Sequence, residues 1–152
     1  MSSTDTDQLT GAPTTTGGAS RRLSPRALVG ALWLFATLNY LYCDVLSTHD
    51  PVYLNKLLTG TVDGVAFTQP MLLASAVLVS IPMSAVLISR IAPHALARWF
   101  SVVAGVIMVV VQVGTMGFGS APTLHYLYFS AIEIAATAFI AWYAVVRWRI
   151  DS

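Results

Sequence analysis

Six consecutive residues, Asn39-Tyr40-Leu41-Tyr42-Cys43-Asp44, put a carboxamide, two phenols, a thiol and a carboxylate into the last turns of an apolar run, and Glu133 puts a second carboxyl inside another. In hydrocarbon such groups cost free energy unless they face protein or water, so they mark where binding or chemistry is to be sought. A carboxylic acid in that setting can exchange a proton or hold the polar head of a lipophilic molecule. Glu133 and Asp44 are the expected acid/base groups. Asn39, Tyr40, Cys43, Gln112, Tyr126 and Ser130 are the expected ligand-binding residues around them.

Helical spacing gathers these residues onto coherent faces. Tyr126, Ser130, Glu133 and Thr137 follow the i, i+4, i+7, i+11 pattern of one stripe, as do Ser101, Gly105, Met108, Gln112 and Thr115 on the preceding helix. Leu32, Ala36, Asn39 and Cys43 form a third seam. Small residues there permit close approach of helices, and polar ones bond across the interface. The stripes are expected to face one another, with the costly polar groups in the outer half of a bundle. Glu133 then has two readings: a hydrogen bond to Asn39 or Gln112 that fixes register, or an acid, base or ligand anchor in an outward-opening polar pocket.

The remaining ionisable groups divide differently. Asp44 is either a solvated helix end or a pocket residue beside Tyr40, its i−4 neighbour. His49-Asp50 reads as a loop and N-cap before Pro51 rather than a catalytic pair, and His94 reads as solvated. His49, His125, Asp44 and Glu133 lack HxxxH or ExxH spacing, so no metal is expected. The single cysteine, Cys43, excludes an intrachain disulfide and a CxxC pair and reads as a small packing residue. With no P-loop, dinucleotide fingerprint, GxSxG, HExxH or EF-hand loop, no cofactor is expected.

The elements that must position these groups follow from composition. Of the 152 residues 56% are hydrophobic and 10% charged, against about 25% charged in soluble domains. No basic patch suggests a nucleic-acid partner. Residues 1 to 26 form a disordered cytoplasmic tail, poor in apolar side chains, that ends in a basic collar of Arg21, Arg22 and Arg26. Residues 27 to 149 form the membrane domain, with spans at about 27–46, 70–91, 96–118 and 123–146. Pro82 is expected to kink the second span. The first apolar run is too long for a signal peptide core and has no small-x-small cleavage site after it, so it is read as retained.

The loop from 47 to 69 carries its own structure. Asp50 caps a short amphipathic helix at Pro51–Leu58, Gly60 stops it, and Asp63-Gly64 turns a hairpin. The loop is expected to act as a cap rather than a linker. The fold is therefore all-α, a four-helix transmembrane bundle with a structured extracytoplasmic loop between helices 1 and 2. Seven arginines (21, 22, 26, 90, 98, 147 and 149) fall on one side of it and only Lys56 on the other, which places both termini in the cytoplasm and the protein in the cell membrane. Trp99 and Trp148 are expected at the inner interface and Tyr42, Tyr53 and Tyr126 near the outer one.

Three sequence features, Asn39-Tyr40-Leu41-Tyr42-Cys43-Asp44, Leu58-Thr59-Gly60-Thr61-Val62-Asp63-Gly64 and Ile132-Glu133-Ile134, resemble an uncharacterised family of small four-helix bacterial membrane proteins over residues 27 to 148. The arrangement is more loosely similar to DoxX-like proteins. The resemblance implies fold and topology and carries no catalytic residue.

Two functions compete. One is a site for an isoprenoid- or quinone-like molecule, with cyclisation or isomerisation initiated by Glu133 or Asp44 and a lining of Tyr40, Tyr126, Tyr128 and Phe129. The other is a non-enzymatic accessory or structural subunit. The expected partners are the lipid bilayer, a lipophilic small molecule, and a second copy or another membrane protein. Proton transport has less support, because one deep carboxylate makes no relay.

Overall fold

A computed structural model of the chain describes residues 23–62, 64–117 and 123–148. Four long helices, α1 (Pro25–Thr48), α3 (Gln69–Ile91), α4 (His94–Met116) and α5 (Leu124–Val146), are apolar enough to cross a bilayer. At 1.5 Å per residue each is about 35 Å long, enough for a hydrocarbon core of roughly 30 Å. Between α1 and α3 lie a short helix, α2 (Pro51–Leu58), and a hairpin of β1 (Thr61–Val62) and β2 (Val65–Ala66). The expected all-α transmembrane fold is thus what forms, and the chain is a multi-pass membrane protein.

The sequence starts and stops these helices where its cap chemistry dictates. Ser24 accepts a hydrogen bond from the Ala27 amide at the start of α1, and Asp50 accepts one from Val52 at the start of α2, each followed by a proline at the first helical position. The tail therefore gives way to helix at Ser24, two residues before the boundary expected from the basic collar. Residues 1 to 22, including Arg21 and Arg22, lie outside those described, as do 118 to 122 and Arg149. Gly60 and Gly64 have φ of 76° and 82°, the left-handed conformation that ends α2 and turns the hairpin at little steric cost. Thr61 pairs with Ala66 and Val62 with Val65.

In the bundle α1 packs on α3 and α5, and α4 packs on the same two, giving an antiparallel ring in the order α1, α3, α4, α5. Backbones do not meet across the diagonals, but the buried Trp33 on α1 donates its indole N–H to Ser101 Oγ on α4 at 3.3 Å. Two glycines set the closest approaches. A Cβ on Gly30 of α1 would lie 3.1 Å from Ser89 Oγ on α3, and one on Gly105 of α4 would lie 3.0 Å from both Ala141 Cβ and the Thr137 carbonyl on α5. α3 is the least buried span. Pro82, Ala85 and Ser89 are its buried residues, and all lie toward its C-terminal end.

Two arginines tie the ends of neighbouring helices. Arg26 Nη1 donates to the Ala92 carbonyl at the end of α3 (2.8 Å), and Arg98 Nε donates to the Ala144 carbonyl at the end of α5 (2.9 Å). Each satisfies a carbonyl left without a helical partner, at the end where the helix dipole favours a cation. Beside them the structure corrects two expectations. Trp148 is 1% exposed and packs edge-on against His94 at 5.4 Å, so it belongs to the core rather than the membrane interface, and His94 has its Nε2 buried rather than solvated. Trp99 is exposed.

The loop also differs from expectation in one respect. Among the described residues helix α2 packs only against α1 and β1, so the helix sits beside the end of α1 rather than across the bundle.

Gly105→Val should lower stability by about 1–3 kcal/mol, because the new side chain meets the backbone of α5 rather than a flexible side-chain end. Gly114→Ala, where a Cβ meets nothing within 4 Å, should not lower it. Reversible unfolding in mixed micelles compares the two.

Candidate functional site

The deepest polar contact joins α1 and α5. Asn39 lies nine residues before the end of α1 and Glu133 nine residues after the start of α5, so in antiparallel neighbours both sit about 14 Å from the end that carries α2. Asn39 Nδ2 donates to Glu133 Oε1 at 3.1 Å and to the Phe129 carbonyl at 3.2 Å. Both amide hydrogens are thereby used, and the Asn39 side chain is fixed against one turn of α5. Glu133 is 1% exposed. Of its two carboxyl oxygens, Oε1 is bonded, and none of the described residues donates to Oε2.

A second contact joins α4 and α5 nearer the same end. Gln112 Nε2 donates to Ser130 Oγ at 2.7 Å, one turn of α5 away from Glu133. Gln112 was an expected alternative partner for Glu133; its shallower place on α4 brings it to Ser130 instead. Further out, Thr115 Oγ1 and Tyr126 OH are 3.1 Å apart, and Ser47 Oγ and His125 Nε2 are 3.4 Å apart. Thr137, one turn deeper than Glu133, turns its hydroxyl back onto the Glu133 carbonyl at 2.6 Å. The expected stripes therefore meet as pairs of facing rows, α1 with α5 and α4 with α5.

Tyr40, Cys43 and Asp44 complete the group on α1. Tyr40 and Cys43 follow Asn39 by one and four residues, and Cys43 shares its buried face of α1. The Tyr40 hydroxyl is buried and has no hydrogen-bond partner among the described residues. Cys43 is buried and its carbonyl accepts from Ser47 Oγ at 2.8 Å. Asp44 is exposed at the outer surface of α1. Tyr128, expected to line the site, is 65% exposed and makes a T-shaped ring contact with Phe129. Among the described residues no three of His, Cys, Asp and Glu gather as metal ligands would.

Over residues 21–152 the sequence matches the profile of a family of unknown function, DUF6326. The chain belongs to this family. Neither a curated protein nor a solved structure matches it. Membership in DUF6326 accords with the family resemblance carried by the Asn39–Asp44 run and Glu133, adds nothing to the looser DoxX likeness, and assigns no activity to any residue.

Trp33 is the group that the sequence did not single out. Its bond to Ser101 continues the Ala36–Asn39–Cys43 seam one turn toward the arginine end, and Val29, Trp33 and Ala36 carry the i, i+4, i+7 spacing that marks it. Tryptophan suggests the membrane interface by type, and here spacing was the better guide.

A double-mutant cycle of Asn39→Leu and Glu133→Leu should give a coupling of about 1 kcal/mol, within the range of interhelical hydrogen bonds in membranes. Glu133→Gln retains an acceptor for Asn39 and should leave stability nearly unchanged. Coupling indistinguishable from zero in reversible micellar unfolding would mean that the pair does not hold α1 to α5.

Proposed function

We propose that the chain binds a lipophilic small molecule of isoprenoid or quinone type, with its polar head at the Asn39–Glu133 pair and its tail among the apolar faces of the bundle. The observation that supports this most is the Tyr40 hydroxyl, which is buried, lies next to Asn39 in sequence and has no hydrogen-bond partner among the described residues. An unpaired buried hydroxyl costs about 1–3 kcal/mol. A hydroxyl on a bound head group removes that cost by accepting from Tyr40 and can donate to Glu133 Oε2, whereas a carbonyl accepts from Tyr40 and from Oε2–H when Glu133 is protonated. Gln112, Ser130, Tyr126 and Cys43 border the same region, and Asp44 stands at its exposed rim. Acid/base chemistry on the bound molecule, cyclisation or isomerisation, would draw its proton from Glu133 or Asp44.

A second reading, an accessory subunit, is favoured by α3. None of its residues from Gln69 to Ile81 is buried, which leaves a face on which a partner span could lie. Its Ser75 and Ser80 are exposed with their hydroxyls turned back onto the Met71 and Ala76 carbonyls, so that face is satisfied against lipid as well.

We further infer that the protein lies in the cell membrane with both termini cytoplasmic. Support comes from Arg26, Arg90, Arg98 and Arg147 at one end of the bundle and Lys56 at the other.

After purification in mild detergent, mass spectrometry of the wild-type protein should find one isoprenoid or quinone per chain. Tyr40→Phe and Glu133→Gln should each reduce retention about tenfold, the effect of roughly 1.4 kcal/mol. A ligand-free wild-type protein sinks the first reading, and a stoichiometric protein partner in its place supports the second. Conversion of the retained molecule that stops in Glu133→Gln would establish chemistry. For topology, a reporter active only in the cytoplasm should work when fused after Ser152, and one active only outside it should work when inserted at Gly64. The reverse pattern overturns the orientation.

A further inference from the structure

Helix α2 is amphipathic in the opposite sense to a helix on a water-facing surface. Its half-buried side, turned toward α1 and β1, carries Tyr53, Lys56 and Leu57. Its outward side carries Val52, Leu54 and Leu58, which are 67%, 41% and 78% exposed, with Pro51 and Asn55 between them. The one charged residue of the helix thus faces protein while three large apolar side chains face away from it. In water the reverse arrangement is favoured.

The position of the helix identifies what covers that face. Two residues, His49 and Asp50, separate Pro51 from the end of α1, so α2 begins within about 10 Å of it even if the link is fully extended. The last turns of α1 expose Leu41, Tyr42, Val45 and Leu46, and the first turn of α3 exposes Leu72 and Leu73. Both are lipid-facing strips of membrane spans. The α2–hairpin unit is tethered between them and itself exposes Val52, Leu54, Leu58 and Val65.

We propose that α2 lies in the membrane interface, parallel to the bilayer surface, with Val52, Leu54 and Leu58 inserted among the glycerol and upper acyl groups of the lipid leaflet at that end. An amphipathic helix with little net charge rests there by burying its apolar face at the headgroup boundary. A protein occupant fits less well. Three side chains on a helix about 12 Å long fall well short of the ~800 Å² per partner of a stable interface, whereas lipid requires no minimum area. Lys56 and Tyr53 then serve as the polar edge, at the level where such residues anchor membrane proteins. The proposal is independent of any ligand at Glu133.

The test uses the full chain in bilayer nanodiscs, with a nitroxide attached in turn through Leu54→Cys, Leu58→Cys and, as a lipid-facing reference, Leu41→Cys. The buried Cys43 sets a background measured on the unsubstituted protein. Collision with oxygen should exceed collision with a water-soluble nickel chelate at all three positions, with Leu54 and Leu58 giving shallower depths than Leu41. Chelate dominance at Leu58 overturns the proposal in favour of a water-exposed loop. Low accessibility to both reagents overturns it in favour of a protein occupant. The unsubstituted protein supplies a second readout: a phospholipid with a photoreactive group near the glycerol should label residues 51–58, and labelling confined to the four spans overturns the proposal.

Discussion

A carboxyl group inside a hydrocarbon slab is tolerable only if another group from the same protein meets it, and Asn39 is the group that meets Glu133. That requirement reaches well beyond one hydrogen bond. Because Asn39 gives one amide hydrogen to Oε1 and the other to the Phe129 carbonyl, it fixes the rotation of α1 about its axis and its height against α5 together. A slip of one residue along either helix would turn one partner toward lipid, at a cost that packing of Val, Leu and Ala side chains alone would not impose. The apolar surfaces of this bundle are nearly interchangeable in lipid, so its few polar contacts distinguish one arrangement of the helices from another.

The same rule explains where the other polar atoms go. Trp33 with Ser101 and Gln112 with Ser130 pair across interfaces. Thr37, Ser75, Ser80, Ser89 and Thr137 instead turn their hydroxyls back onto carbonyls of their own helices, which lets them sit on either face without a partner. Against this background the buried hydroxyl of Tyr40 stands apart. It is too far along its side chain to reach back to its own backbone, and none of the described residues supplies an acceptor.

Much of this was legible in the sequence, and particular residues show why. The four spans announce themselves by length and composition, and the ends of the short helix α2 by Asp50 and Gly60, whereas the Ser24 cap that starts α1 was not read. The facing stripes were legible because polar residues are so rare here that their spacing is unambiguous. Pairing within the stripes was not. Whether Glu133 meets Asn39 or Gln112 depends on the relative height of three helices, and the hydrophobic pattern leaves that height open by several residues. Trp148 and His94 were misplaced for a related reason: residue type points to the interface or to water, but the two rings pack edge-on against each other, which buries Trp148 and the Nε2 atom of His94. The loop was read correctly as structured and incorrectly as a cover, since nothing local says on which helix a tethered segment will rest.

Both guanidinium ties, Arg26 to Ala92 and Arg98 to Ala144, lie at the same end of the bundle, and the unburied portion of α3 lies at the other. Helix α3 is therefore held by its C-terminal half, from Pro82 to the Ala92 carbonyl that Arg26 engages, while no residue of its N-terminal half from Gln69 to Ile81 is buried.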